Sequence, residues 1–287
     1  MNDALPAFWV NGERQSSSSR HISAGDRGLT LADGVFETMR AYGGTVFRLD
    51  RHLARLMHGL TTLEIPAPPE LGEWIHAAVC AGGNVAVRVT VTRGAGMAGV
   101  APPVHAQPTA IVAVSPPPLF PEEVYRLGLT AHVASGRRNE YSMTTGLKTI
   151  AYTDGVAAWL EARRAGADEA LFLDTEGHCS EAVSSNLFLW TGSELVTPPI
   201  SCGALPGITR AAVLELASTI GVPAVERLVG VEDLVRAEEA FLTSSLRGLA
   251  PLVRLDARPI GRGIPGVMTR TFAEAYAALV ARECGGS

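Results

Sequence analysis

Lys148 is the single charged residue between Tyr141 and Tyr152, in a run rich in Thr and Tyr. A lysine amine can add to a carbonyl carbon to form an imine, and can then carry a proton, where its surroundings suppress the charge. One lysine alone more often marks solvated surface, but three other stretches bear on it. Leu205-Pro206-Gly207-Ile208-Thr209-Arg210 opens a helix at Ile208. Its free amides, a glycine allowing close approach and a Thr hydroxyl suit an anion such as phosphate, and equally describe an ordinary helix start. Ser244-Ser245, after Ala240-Phe241-Leu242, supplies more hydroxyl donors or merely a turn. Glu181 is an isolated acid among small neutral residues ahead of an apolar strand. Partly buried, it would require a positive partner such as a protonated ring nitrogen; otherwise it is a solvent-facing turn acid.

Period-two alternation over 35–42 puts Phe36, Thr38, Arg40 and Tyr42 on one strand face and Val35, Glu37, Met39 and Ala41 on the other. The first face mixes aromatic, hydroxyl and guanidinium groups, as a pocket wall or a solvated sheet face would. Arg247 is either a carboxylate contact or plain surface. Two other motifs lead nowhere. Gly94-Ala95-Gly96-Met97-Ala98-Gly99 fits G-x-G-x-x-G after a strand, but Val100-Ala101-Pro102-Pro103 follows where the dinucleotide fingerprint needs a helix. The run reads as a mobile glycine loop. Thr145 and Lys148 have the spacing of a serine acyl-transfer S-x-x-K, with Thr at the nucleophile position and no S-D-N or K-T-G after it.

The elements that must position these residues fall into an α+β pattern. Phe8-Trp9-Val10 leads into an Asn11-Gly12 hairpin turn. Strands follow over 35–42, 45–49, 85–92 and 109–114, with a helix over 53–63 that sets Leu53, Leu56, Leu60 and Leu63 on one face. Ser16 to Ser19 is a short polar turn. The prolines 116–118 and 121 cannot continue a ladder or helix and mark an interdomain connector. The expected division is a small α+β domain over 1–114, a connector over 115–121 and a larger strand-rich domain over 122–287. In the latter, Asp154 caps a helix that runs to Arg164 and ends at Gly166. Strands are expected over 170–174 and 186–190, with 195–197 pairing to the second. A helix over 208–220 and a short buried strand over 240–243 complete the reading.

Hydrophobic residues make up 47% of the 287 positions and charged residues 18%, enough for a sizeable core and too apolar for a disordered chain. The net charge of −5 is spread along the chain, which disfavours nucleic acid and membrane surface as partners. Cys80, Cys179, Cys202 and Cys284 have no metal or redox spacing. No secretory start or spanning apolar run is found, so a soluble cytoplasmic protein is expected, with no metal.

Together the motifs resemble the class IV, or fold-type IV, pyridoxal-phosphate enzymes. They are Asp26-Arg27-Gly28, Asp33-Gly34-Val35-Phe36-Glu37-Thr38-Met39-Arg40, His52-Leu53-Ala54-Arg55-Leu56, Leu147-Lys148-Thr149, Glu181 with Ser185-Asn186-Leu187-Phe188, and 205–210, in the family's order over almost the whole chain. The resemblance implies the two-domain architecture of D-amino-acid aminotransferases, with a small α/β domain beside the strand-rich one, and a homodimer. It implies pyridoxal 5'-phosphate held on Lys148 as a Schiff base, with Glu181 keeping the pyridine nitrogen protonated. It further implies that Arg55, Ile208, Thr209 and Ser245 bind the phosphate and that Tyr152 hydrogen-bonds the phenolic oxygen. In some relatives the lysine-to-tyrosine spacing differs by one.

The shared apparatus serves both lyases and transaminases. At the strand where branched-chain enzymes resemble YEGxR and D-amino-acid enzymes YEVxR, the chain carries Phe36-Glu37-Thr38-Met39-Arg40. A threonine there resembles the 4-amino-4-deoxychorismate lyases of folate biosynthesis, where it is thought to relay a proton during elimination. The expectation is therefore elimination of pyruvate to give 4-aminobenzoate, with Lys148 and Thr38 catalytic and Phe36, Thr38, Arg40 and Arg247 in the substrate pocket. The alternative is a class IV aminotransferase acting on branched-chain amino acids, D-amino acids or R-amines. The loop over 93–104 lacks the second arginine of several relatives, and the stretch over 139–145 departs from the proline-containing version common among lyases. An inert cofactor-binding protein and a nicotinamide oxidoreductase are the remaining readings.

Overall fold

The computed structural model of the chain describes residues 6–16, 22–80, 83–97 and 99–285, apart from the Cys80 side chain. The expected turn at Ser16 to Ser19 lies outside them from Ser17 on, as does Ala98 of the glycine run. Two compact units emerge. One takes the described residues up to Pro118 together with Leu147–Ala151 and those from Val280 on; the other takes Leu119–Gly146 and Tyr152–Leu279. The proline-based division differs in one respect that matters: it leaves Lys148 in the second domain. The connector also begins a residue later than expected, because Ser115 still pairs with Ala86.

The first unit is built on strands β1 (Ala7–Val10) and β2 (Glu13–Gln15), helix α1 (Arg27–Leu31), strands β3 (Gly34–Tyr42) and β4 (Thr45–Val46), helices α2 (Leu49–Thr62) and α3 (Leu71–Cys80), and strands β5 (Val85–Thr92) and β6 (Thr109–Ser115). Its sheet has the order β2-β1-β6-β5-β3-β4, with antiparallel neighbours throughout. The β1–β2 hairpin turns through Asn11 and Gly12, both at positive φ, as the Asn-Gly pair requires. Val85, Val87, Val89 and Val91 of β5, Val35, Met39 and Ala41 of β3, and Ala110, Val112 and Val114 of β6 share one apolar layer with Leu56, Leu60 and Ile75 of the helices. Strand β4 is shorter than the expected 45–49. Arg48 adopts positive φ and starts α2 at Leu49.

The second unit comprises helix α4 (Glu122–Leu127), strand β7 (Leu129–Arg137), helix α5 (Thr153–Arg164), strands β8 (Glu169–Leu173), β9 (Cys179–Ala182), β10 (Asn186–Trp190) and β11 (Leu195–Thr197), helix α6 (Ile208–Thr219), strand β12 (Ala224–Glu226), helix α7 (Val231–Arg236), strands β13 (Glu239–Ser244), β14 (Gly248–Leu255) and β15 (Arg258–Pro259), and helix α8 (Val267–Cys284) as far as Leu279, its last residues counting with the first unit. The order β10-β13-β14-β7-β8-β9 closes on itself where Asn186 of β10 pairs with Glu181 of β9. Leu171, Leu187, Leu189, Leu242 and Leu252 fill one face of this closed sheet. On the other face Phe188 stacks on Phe241, with centroids 5.2 Å apart, and Phe241 on Phe272. Asp154 does not cap α5: Tyr152 occupies the N-cap, its side chain making no capping bond, and Asp154 lies in the first turn. There its charge still favours the helix dipole. Among the described residues no helix is long and apolar enough to cross a membrane.

Candidate active site

The Lys148 segment is laid on β3 as an extra piece of strand. Phe36 N donates to Lys148 O at 2.9 Å, Ile150 N donates to Gly34 O at 3.1 Å, and Val35 and Thr149 form an antiparallel bridge between them. The half-buried lysine reaches the outward face of β3, where its Nζ stands 4.6 Å from the centroid of the Phe36 ring. That face carries Phe36, Thr38, Arg40 and Tyr42, because their neighbours Val35, Met39 and Ala41 are drawn into the apolar layer. Arg40 lies over Tyr42 at 5.2 Å, and its buried Nε has no hydrogen-bond partner among the described residues. Arg88 on β5 is directly opposite Thr38 and places its guanidinium 3.7 Å from the Phe36 centroid. Directly opposed residues share a face, so the signal for Arg88 was its place in the Val-x-Val alternation, legible only once the register is known.

Glu37 points the other way, as the strand alternation placed it, but its partners there were missed by the sequence reading. It accepts from Arg55 Nε at 2.6 Å and Nη2 at 2.8 Å, and meets His52 Nδ1 at 2.7 Å. Burial pushes its carboxyl up, but the hydrogen bonds from His52 and Arg55 and the Arg55 charge outweigh that and hold it at about 2.

In the second unit, Glu181 stands at the seam of the closed sheet, with its side chain 10% exposed. Its Oε1 is 3.2 Å from Arg138 Nη2, and its Oε2 accepts from Leu205 N at 2.9 Å and Asn186 Nδ2 at 3.3 Å. The solvent-facing turn acid is thereby excluded. Asn186 Nδ2 also donates to Leu205 O at 2.9 Å, so one carboxamide joins Glu181 to the turn that opens α6. Gly207 is the N-cap of that helix and no side chain caps it, while Ile208 and Thr209 are buried. A Cβ on Gly207 would fall 1.9 Å from Asn186 Oδ1. Gly207→Ala must therefore displace the carboxamide or the turn. Overpacking of this kind costs about 1–3 kcal/mol, and each kcal/mol moves the melting point of a chain this size by about 2–4 °C. A drop of roughly 5 °C is expected in a thermal melt, and an unchanged melt would remove the steric argument.

Arg138 escaped notice because an arginine beside Arg137 reads as surface; Asn186 was read as part of a motif and of a strand, with no role of its own. Arg138 lies 4.4 Å over the Phe172 ring. Thr243 is opposite Asn186 on β13, and its buried hydroxyl has no partner among the described residues; nor does that of Ser185. Ser245 is half-buried in the turn between β13 and β14. Arg247, in the same turn, is not plain surface. Its Nη1 is 3.5 Å from Glu169 Oε2, its guanidinium lies 5.0 Å from the Phe120 centroid, and its carbonyl accepts from Tyr125. Burial raises the Glu169 carboxyl, and the Arg247 charge opposes that without overcoming it. The Tyr152 ring is half-buried, and a Cβ on Gly155 would meet it at 3.5 Å.

Described residues in and beside the glycine run, expected to be a mobile loop, are hydrogen-bonded to Arg27. Arg27 donates to the carbonyls of Gly99, Val100 and Ala101 while its Nε holds Asp33, and Arg27 N donates to Gly94 O. Arg93 chelates the same Asp33 and is bonded to the carbonyls of Leu63 and Glu64, which makes it structural.

Each unit holds groups that suit part of a phosphorylated aromatic aldehyde: the first an amine over an aromatic ring, and the second a buried carboxylate already hydrogen-bonded in place, an uncapped helix start and buried hydroxyls with no partner among the described residues. Residues 34–255 match the family model for amino-transferase class IV. A putative branched-chain-amino-acid aminotransferase of Methanocaldococcus jannaschii is 33% identical over 276 residues, covering 94% of each chain. The crystal structure of 4-amino-4-deoxychorismate lyase from Pseudomonas aeruginosa superposes with a TM-score of 0.84 at 35% identity, covering 96% of this chain and 98% of that one. A T.th. branched-chain amino acid aminotransferase with pyridoxamine 5'-phosphate superposes with a TM-score of 0.89 at 30% identity, covering 97% and 94%. The chain belongs to the class IV aminotransferase family and is an enzyme that works with pyridoxal 5'-phosphate.

Proposed function

We propose that the enzyme eliminates pyruvate from 4-amino-4-deoxychorismate to release 4-aminobenzoate. The observation that carries this reading is the outward face of β3, where Thr38 lies opposite Arg88 and beside Phe36 and Arg40, with the Lys148 amine over the Phe36 ring. The substrate is a dicarboxylate, and fixed guanidinium groups bind carboxylates through charge and paired donors. Arg40 and Arg88 supply such groups, and Arg247 adds one in its turn. The cofactor, when bound, withdraws electrons from the carbon that bears the substrate amine. Lys148 carries the cofactor and takes the proton from that carbon. The neighbouring carbon–oxygen bond then breaks with its electron pair on oxygen, and the Thr38 hydroxyl passes a proton to the leaving enol of pyruvate as the ring becomes aromatic. Glu181 provides negative charge for the pyridine nitrogen. Arg55, the amides of Ile208 and Thr209, the Thr209 hydroxyl and Ser245 bind the phosphate, and Tyr152 donates to the phenolic oxygen.

The identity to the Pseudomonas lyase supports the same reading. A second reading, a class IV aminotransferase, is favoured by the names of the Methanocaldococcus protein and of the aminotransferase solved with pyridoxamine 5'-phosphate. One donor panel separates them: aminodeoxychorismate, scored by 4-aminobenzoate and pyruvate, against L-leucine, D-alanine and (R)-1-phenylethylamine with keto acids. Turnover of an amino donor without 4-aminobenzoate formation would replace the first reading by the second. Thr38→Val removes the hydroxyl at constant shape. It should slow elimination by about a hundredfold, as loss of a general acid does, and change half-transamination of L-leucine by less than about twofold. Equal losses in both would remove the case for Thr38.

A further inference from the structure

Glu37 is a carboxylate where the surrounding layer is hydrocarbon. It sits on the inward face of β3 between Val35 and Met39 and opposite Val89, with its side chain 1% exposed. Taking a carboxylate out of water costs several kcal/mol, and apolar residues of similar size would join α2 to β3 at least as well. Val35, Met39, Leu56 and Leu60 already do so. What the carboxylate adds is direction. Both oxygens hold the Arg55 guanidinium, through Nε and Nη2, and His52 Nδ1 fixes Oε2 from the same helix, three residues before Arg55. The Arg55 side chain is 10% exposed, and its Nε and Nη2 are held by Glu37 before any ligand arrives.

We propose that Glu37 is a positioning residue for the cofactor phosphate, acting through Arg55. The proposal rests on the reading of Arg55 as a phosphate-binding arginine and goes beyond it, since it makes phosphate affinity depend on an acid that never meets the phosphate. An arginine held in its bound rotamer loses less freedom on binding than one that must be ordered at that moment. Releasing it should weaken phosphate binding by about tenfold, the factor that freezing one long side chain carries. A buried network that served only to staple the helix would affect every ligand of the unit alike.

The test is a spectral titration of full-length apoenzyme with pyridoxal 5'-phosphate and with pyridoxal, which lacks the phosphate. Glu37→Gln keeps the size and removes the charge. Its affinity for pyridoxal phosphate should fall about tenfold while that for pyridoxal changes by less than about twofold. Equal weakening of both ligands, or of neither, overturns the proposal. Glu37→Asp keeps the charge on a shorter arm and gives the same comparison if the glutamine variant does not fold. A reduced preference for the phosphorylated ligand supports the proposal, and an unchanged preference overturns it. Arg55→Met separates the two layers of the argument. If it leaves the preference for pyridoxal phosphate intact, the phosphate reading of Arg55 fails and the Glu37 proposal falls with it. If Arg55→Met abolishes the preference and both Glu37 variants keep it, only the Glu37 proposal is lost.

Discussion

Lys148→Ala is expected to abolish turnover, by at least about a thousandfold, while leaving the fold in place. Two effects combine in one atom. In the proposed reaction the amine holds the cofactor covalently and moves the proton at the reacting carbon; positioned acid–base groups alone contribute about a hundredfold to ten-thousandfold. The main chain of the segment is independently secured, because Phe36 N bonds to Lys148 O and Ile150 N to Gly34 O. Neither bond needs the lysine side chain. The variant apoenzyme should therefore melt within a few degrees of the parent, which separates lost chemistry from lost structure. Borohydride reduction of the parent should fix a pyridoxyl group on the Lys148 peptide, read by mass spectrometry, and the variant should yield none. Lys148 is the only lysine in the sequence, so full turnover by Lys148→Ala, or a parent that takes up no pyridoxyl label after borohydride, would end this account of the site.

How much of this was legible beforehand depended on whether the signal was local. Strand β3 follows from period-two alternation interrupted only by Glu37, β5 from its run of β-branched residues, and the β1–β2 turn from one Asn-Gly pair. Strand β14 was missed because Pro251 argues against an inner strand. Pro251 is opposite Phe241 on β13, and the pairing with β7 begins only at Leu252, so its missing N–H falls outside that ladder. Strand β9 was missed because Cys179–Ala182 is four residues of mixed type, buried by neighbours remote in sequence. The site divides in the same way. Lys148, Glu181, the 185–188 motif and the 205–210 turn carry recognisable residue types, whereas Arg88 and Arg138 acquire meaning only from a partner across a strand or turn. Glu37 was seen and assigned to the inward face of its strand. That placement is correct, but nothing local showed that Arg55 and His52 would meet it there.

Glu181→Gln should separate holding the cofactor from activating it. The parent carboxylate has acceptors on both sides: Oε1 for Arg138, and Oε2 for Leu205 N and Asn186 Nδ2. A glutamine offers one oxygen. Turned toward Leu205 and Asn186, it keeps the two amide bonds and sets its own NH2 against the Arg138 guanidinium. Turned the other way, it opposes two donors with a donor. The first orientation is cheaper and still loses a hydrogen bond to a charged group, about 1–3 kcal/mol. For a chain of this size that corresponds to a melting point lower by roughly 5 °C. In the role proposed for Glu181 the larger effect is electrostatic, because a neutral amide would no longer favour a protonated ring nitrogen. Loss of one preorganised stabilising group costs about a hundredfold to a thousandfold in kcat. Lys148 and the Gly207-Ile208-Thr209 turn are untouched, so the protein should stay yellow and still be labelled by borohydride. Glu181→Asp restores the charge on a shorter arm and should recover part of the rate. A glutamine variant that keeps kcat within about fivefold would show that the ring nitrogen draws its protonation from elsewhere, and the hydrogen bonds of Glu181 would then account for its burial alone.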